Sequence, residues 1–182
     1  MTTNSLRLQA PRVALRDITP HDVDAIHSFC SDPEVTQWST WGPNTRAETE
    51  AFVADAVAEA AAPERAAFTL AVVVADRVVG TAGVWVTSAA DRTGELGYTL
   101  HRSAWGRGLG TETAGLLLRH AFDRMGLERV EATCSPDNAG SVRVLEKNGF
   151  RFEGRLRAHK KVNGGRRDSL LFATLLQEAS RG

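Results

Sequence analysis

From Ala67 onward, short apolar runs alternate with turn residues in the rhythm of a sheet. Ala67 to Ala75 (AFTLAVVVA) and Val78 to Val86 (VVGTAGVWV) are β-rich runs split by Asp76-Arg77, the pattern of a β-hairpin. Gly94 to Leu100 (GELGYTL) follows as a further strand, across a polar turn from Ser88 to Thr93. The period then changes from two to 3.6. Thr111 to Met125 reads as a long amphipathic helix, with Gly126 where a C-cap belongs. Arg129 to Cys134 (RVEATC) returns to strand. Ser135-Pro136-Asp137 ends it, Asn138 opens a helix to about Asn148, and Gly149 caps that helix. Phe150 to Leu156 and Asp168 to Leu176 read as a last antiparallel pair, joined across Asn163-Gly164-Gly165.

Before Ala67 the pattern is mostly helical. Arg12 to Arg16 (RVALR) is a short strand. Thr19-Pro20-His21-Asp22 offers an N-cap with proline at the first helical position, for a short helix to about Phe29. Ser31-Asp32-Pro33 is a break. Glu34 to Asn44 holds Trp38 and Trp41 and reads as a loop or frayed helix. Thr45 caps a second helix to about Ala61, with Glu48 completing a capping box. The order is strand, two helices, three strands, helix, strand, helix, two strands. That order predicts a mixed α/β fold with helices on both faces of the sheet.

Composition narrows the function classes. A chain of 182 residues suits one compact domain over residues 1–182. Net charge is zero, which argues against nucleic acid or an anionic membrane as partner. No stretch approaches the roughly 20 apolar residues of a membrane span. MTTNSLRLQAPR has no apolar core of a signal peptide, so a cytoplasmic protein is expected. Cys30 and Cys134 are expected as buried free thiols. The histidines have no ligand spacing, so no metal is expected.

The strongest chemical signal is Trp105-Gly106-Arg107-Gly108-Leu109-Gly110-Thr111-Glu112, after a strand and at the start of a helix. Glycines at 106, 108 and 110 free the backbone and allow a ligand to approach closely. The first amides of the helix lack intrahelical partners, and the helix dipole adds positive potential, so the turn suits an anion. A Rossmann turn needs G-x-G-x-x-G inside a βαβ unit, and a P-loop needs a terminal G-K-[ST]; neither is present.

This turn resembles the coenzyme A-binding motif of the GNAT acetyltransferases, in the RimJ/RimL-like form W-G-x-G-x-[A/G]-T-E. Trp105 stands where other branches carry Gln or Arg. A second match runs from Asn138 to Phe150 (NAGSVRVLEKNGF), and a third pairs Asp32-Pro33-Glu34-Val35 with Asp168. The resemblance covers Leu15 to Leu176. It implies a central, mostly antiparallel twisted sheet of about seven strands, splayed between the fourth and fifth. It implies acetyl-CoA as cosubstrate, its pantetheine arm paired with the backbone of Tyr98, Thr99 and Leu100. The pyrophosphate is then expected on Arg107, Gly108, Leu109, Gly110 and Thr111, with Trp105 and Gly106 also expected to bind the cofactor. Asn138 and Ser141 are expected at the thiol end, with Lys147 or Arg143 as candidates for a phosphate contact.

The chemistry implied is attack of an amine on a thioester. Neutralising a lysine amine at pH 7 costs roughly 4.6 kcal/mol, an α-amino group only about 1. Glu95 is the candidate base, directly or through water, or else a carboxylate that orients the acceptor. Ser141 is the candidate proton donor to the thiolate, a role compatible with capping the helix begun at Asn138. An oxyanion donor is sought among the Tyr98 to Leu100 amides, given a bulge there. The resemblance puts Trp38 and Trp41 at the acceptor pocket, so with Glu95 they are candidates to bind the amine, as walls, or else they are ordinary packing of the helical lobe. His159-Lys160-Lys161 and Arg166-Arg167 form a basic loop, either a solvated turn or a patch for an acidic partner. The leading acceptor is a protein N-terminus, as in ribosomal-protein acetylation. A small amine (amino acid, polyamine, aminoglycoside) and a non-catalytic acyl-CoA sensor are the alternatives. A homodimer is compatible with the family but not read from the sequence.

Overall fold

A computed structural model describes residues 6–162 and 164–179. Asn163, expected in the last hairpin turn, lies outside the described residues. The strands are β1 (Arg7–Gln9), β2 (Ala14–Asp17), β3 (Ala67–Val74), β4 (Arg77–Ser88), β5 (Thr93–Leu100), β6 (Arg129–Cys134), β7 (Arg151–Val162) and β8 (Gly165–Leu175). The helices are α1 (Val23–Cys30), α2 (Pro33–Thr36), α3 (Arg46–Ala61), α4 (Leu109–Asp123), α5 (Ala139–Lys147) and α6 (Leu176–Ala179). One eight-stranded sheet has the order β1-β2-β3-β4-β5-β6-β8-β7. Every pairing is antiparallel except β5 with β6.

The sheet has one strand more than the expected seven. β1 is a three-residue edge strand whose Leu8 pairs with Leu15, too short to show a period in sequence. The last hairpin is also longer than expected, because its cationic distal half pairs as strand from Lys160 to Val162.

Local chemistry explains the boundaries. Ala75 and Asp76 take positive φ at the β3–β4 turn, as the tight hairpin requires. Thr45 and Glu48 close a capping box on α3, with the Thr45 amide donating to Glu48 Oε2 at 2.7 Å. Gly126 and Gly149 sit at φ 67° and 78° just beyond α4 and α5, where a Cβ would be strained.

Two apolar layers flank the sheet. The larger is built on Leu70, Val84, Leu96 and Val130 of the strands against Leu116 and Leu117 of α4 and Leu145 of α5. The smaller joins Ala71 to Ile26 and Phe29 of α1 and Val53 and Ala56 of α3. Each buried Leu or Ile contributes roughly 1.5–3 kcal/mol, so these layers hold the sheet between its helices.

α4 buries two polar side chains without partners among the described residues, Thr113 and His120. His120 of α4 is 5% exposed, and neither ring nitrogen has a hydrogen-bond partner among the described residues. Its ring meets Phe68 edge-on at 4.5 Å, and the Arg65 guanidinium lies over the same Phe68 ring. Burial first, then the charges of Arg65 and Arg124, push the His120 pKa below its ordinary value. The unfolded chain therefore takes up this proton at higher pH than the folded one. The stability involved is complete above the ordinary histidine range and is lost as pH falls through it toward the lower folded value. Replacing His120 by Phe keeps the ring contact and removes two unpartnered nitrogens. We expect a gain of about 1 kcal/mol in urea denaturation at pH 7.5. We also expect a smaller drop in melting temperature than wild type between pH 7.5 and 5.5; an equal drop would contradict this account of His120.

Candidate active site

β5 and β6 pair only through Thr93↔Arg129, Gly94↔Val130 and Glu95↔Glu131. Beyond that point β5 continues to Leu100 and β6 to Cys134 without pairing. A cleft of about 750 Å³ opens where they part. A side chain takes over where the ladder stops, as Thr133 Oγ1 donates to Glu95 Oε1 at 3.1 Å.

One end of the cleft is the glycine turn. Gly106 and Gly108 have φ of 69° and 75°, and Gly108 is the N-cap of α4. Among the described residues no hydrogen bond takes the amides of Gly106, Arg107, Gly108, Leu109 or Gly110. These free donors, together with the helix dipole, suit an anion. Arg143 and Lys147 of α5 line the same cleft and enter no ion pair among the described residues. Glu112, in the first turn of α4, would oppose an anion. Its carboxylate is instead engaged by Arg12, from the Arg12 amide at 3.0 Å and from Nε at 2.6 Å. Arg12 Nη1 also donates to the Arg107 carbonyl at 2.9 Å, which fixes the turn against the chain just before β2. Gly110 is ordinary helix. A Cβ there would come within 3.3 Å of Val144, so its glycine serves the close approach of α4 to α5.

Midway along the cleft, Asn138 caps α5 by accepting the Ser141 amide at 3.0 Å. The Ser141 hydroxyl lies 3.4 Å from the Tyr98 hydroxyl. Burial raises the Tyr98 phenol to about 12, a shift that Ser141 partly offsets. Burial also raises the Cys134 thiol, against a lowering contact from Ser141. Tyr98 and Cys134 are therefore neutral near pH 7, while the exposed Asp137 lines the same stretch of the cleft.

The far end carries a carboxylate. Glu95 is half-buried and enters no ion pair among the described residues, whereas Glu131 beside it is paired with Arg129 at 2.8 Å. On the other side, Trp85 of β4 is the register partner of Glu95 and is 37% exposed, its indole lying over Gly97. Arg167 of β8 donates to the carbonyls of Gln37 and Trp38 at 3.2 and 2.6 Å, which ties the loop after α2 to β8. Asp32 caps α2 and pairs with Arg102 at 2.8 Å, joining that loop to the segment before the glycine turn.

Residues 12–151 match the acetyltransferase (GNAT) domain family. The chain belongs to the GNAT acetyltransferases. The uncharacterized N-acetyltransferase p20 of Bacillus licheniformis is 30% identical over 94% of this chain and 97% of its own. The ribosomal-protein-serine acetyltransferase of Escherichia coli strain K12 is 29% identical over 56% of each chain. Among solved structures, Mycobacterium smegmatis RimJ in complex with CoA-disulfide gives a TM-score of 0.84 at 26% identity, covering 98% of this chain and 90% of that one. The chain is thus an N-acetyltransferase of the RimJ/RimL-like kind, and acetyl-CoA use is general in GNAT proteins. Among the described residues there is no group of three or more His, Cys, Asp or Glu placed to hold a metal. No helix among them is long and apolar enough to cross a membrane.

Most of the sequence-derived residues line this GNAT cleft: Trp38, Tyr98, Thr99, Leu100, Trp105, Gly106, Gly108, Gly110, Thr111, Asn138, Ser141 and Lys147. Leu109 is 1% exposed in the core and the Arg107 guanidinium turns toward the Ser103 carbonyl, so these two offer backbone amides rather than side chains. Trp41 is 41% exposed and off the cleft, whereas Trp38 is on its lining. Glu95 stands behind Thr133 rather than on the lining. The Leu100 carbonyl is taken by the Trp105 indole N–H at 2.8 Å. The Thr99 carbonyl faces Gly80 of β4, so by strand alternation the Tyr98 peptide groups face the cleft. The bulge sought near Tyr98 is absent, since the β4–β5 register is regular from Gly80 to Val86. Departure of β6 uncovers the strand instead. Sequence reasoning missed Arg12, Trp85 and Thr133 as site residues. Thr133 follows Glu131 by two and so shares its face, but only the structure reveals where the ladder ends.

Gly108 is the position where the turn tolerates a side chain least, given its φ and an Arg12 nitrogen 3.2 Å from any added Cβ. Gly108→Ala should lower stability by about 1–2 kcal/mol in urea denaturation. An unchanged midpoint would contradict the left-handed N-cap.

Proposed function

We propose that this protein transfers the acetyl group of acetyl-CoA directly to a primary amine, with a protein N-terminal α-amino group as the favoured acceptor. The observation that carries the reading is the gradation along one cleft. Free amides and unpaired cations lie at one end and hydroxyls in the middle, and beyond them an unpaired carboxylate, Glu95, stands behind Thr133.

Acetyl-CoA supplies an acyl group activated as a thioester. The amides of Gly106 to Gly110, with Arg143 and Lys147, would hold its phosphates. The Tyr98 peptide groups, left without a β6 partner, would bond the pantetheine arm in the manner of a missing strand. Ser141 would hydrogen-bond the departing thiolate. Either hydroxyl of the Tyr98–Ser141 pair can donate, and with Tyr98 as the donor the serine proton would be free to point at sulfur. Glu95 would attract the acceptor ammonium and take its proton, directly or through water. Trp38 would wall the acceptor. The α-amino preference follows from the deprotonation cost, about 1 kcal/mol against roughly 4.6 for lysine, because Glu95 has one threonine to assist it. Similarity to a ribosomal-protein-serine acetyltransferase supports the same acceptor class.

Thiol release from acetyl-CoA, measured over a panel of N-terminal peptides, amino acids, polyamines and aminoglycosides, tests the reading. We expect peptides with free α-amines to give the highest kcat/KM. Glu95→Gln or Ser141→Ala should lower the rate at least about tenfold on the best acceptor. Full rates in both variants would overturn the assigned roles, and no calorimetric binding of coenzyme A at millimolar concentration would overturn the reading itself.

A further inference from the structure

Gly83 of β4 and Gly97 of β5 are register partners, two glycines opposite each other in the interior of the sheet. The next pair on the same face is Trp85 with Glu95. A glycine inside a strand weakens it, and it often marks the close approach of a ligand or another backbone. Gly83 is explained within the fold, because a Cβ there would come within 3.1 Å of the Phe68 carbonyl oxygen. Gly97 is not explained in this way. Its φ lies outside the left-handed region. Beyond its chain neighbours, a Cβ there would meet only the six-membered ring of Trp85 among the described residues, with Cη2 at 3.5 Å and Cζ3 at 3.9 Å, both ordinary contacts. An alanine would fit, so the glycine leaves a notch beside the ring.

The notch lies between two unlike walls. On the β4 side is the Trp85 indole, 37% exposed. On the β6 side is Thr133, which the Glu95↔Glu131 register, continued by two residues along each strand, sets level with Gly97. Thr133 holds Glu95 Oε1 at 3.1 Å, so the carboxylate reaches toward the same level. Gly97 and Thr133 both line the cleft, and the notch therefore opens into it. Gly97 also precedes Tyr98. A nitrogen in the notch is thus one residue along β5 from the peptide groups that would pair with the pantetheine arm.

We propose that this notch seats the acceptor ammonium, with Trp85 as its aromatic wall and Glu95 as its counter-charge, a role that rests on the acetyl-transfer reading above. Trp85 and Glu95 are directly opposite, and the Cβ atoms of such pairs lie about 4.5–5.5 Å apart, so one nitrogen can contact both side chains. The ring quadrupole attracts a cation and the carboxylate attracts it by charge, whereas a neutral group gains little from either. Gly97 supplies the room. Trp85 selects acceptors by charge before Glu95 takes the proton, and it takes no part in the proton transfer itself. Because the ring favours the charged form, its contribution belongs to acceptor binding, and its loss should appear in KM rather than in kcat.

Calorimetric titrations on the full chain saturated with coenzyme A test this, since no acetyl group is then present to react. The ligands are the best acceptor of the amine panel and its analogue with the amino group replaced by hydrogen. The wild type should bind the ammonium form at least about tenfold more tightly. Trp85→Leu should cut that ratio about three- to tenfold, and Trp85→Phe should retain more of it than Trp85→Leu. Gly97→Ala, whose methyl makes only ordinary contacts, should keep its melting temperature and its coenzyme A affinity yet weaken the acceptor at least about threefold. In turnover, Trp85→Leu should raise the KM of the acceptor with little change in kcat. An unchanged binding ratio in Trp85→Leu, or wild-type acceptor affinity in Gly97→Ala, would overturn the ammonium seat while leaving acetyl transfer in place. Absence of coenzyme A binding in the wild type would instead remove the acetyl-transfer reading.

Discussion

The structure depends on a parallel ladder that stops early. β5 and β6 share three residue pairs and then separate, although each strand continues. Unpaired strand backbone inside a protein is normally costly, so it is met by water or by a ligand. Here the open edge of β5 faces a cleft rather than a core. Loss of ladder hydrogen bonds is thereby converted into a row of donors and acceptors held rigid by the rest of the sheet.

The elements around the split keep it open and give it direction. α4 begins at its mouth with amides that no acceptor among the described residues takes, and Arg12 neutralises Glu112, the acidic residue of its first turn. α5 begins across the cleft, its first turn closed by Asn138, so that Ser141 sits beside Tyr98. At the opposite end Glu95 is left without a cation, while its neighbour Glu131 is neutralised by Arg129. The cleft therefore runs from free amides and unpaired cations to the hydroxyls of Tyr98 and Ser141, with Asp137 also on its lining and Glu95 behind Thr133.

Much of this was legible in the sequence, for identifiable reasons. The glycine turn, the Thr45-Glu48 capping box, the Asn138 cap and the β3–β4 hairpin depend on interactions within a few residues, and the chain carries their signatures directly. The eight-stranded mixed sheet with helices on both faces follows from the order of elements, apart from β1, which is too short to show a period. What depends on distant partners was not legible. Trp41 looks like Trp38 in sequence, yet only Trp38 is turned to the cleft, because Arg167 seats its carbonyl from 129 residues away. Arg12 read as an ordinary strand residue, and its bond to Glu112 spans 100 residues. A bulge in β7 around Ala158 was hidden in a cationic run that gave no strand period. Asp168 stood out by resemblance, but its two bonds to the bulge could only be seen in the fold.

The most direct test of the central claim is the backbone amide spectrum of uniformly 15N-labelled protein as coenzyme A is added. If free amides at the start of α4 and the uncovered edge of β5 grip the ligand, the signals of Gly106, Gly108, Leu109, Gly110 and Tyr98 should shift together and saturably, while those of β1 and α3 stay in place. Saturable shifts that leave these five amides unmoved and cluster elsewhere would contradict the account.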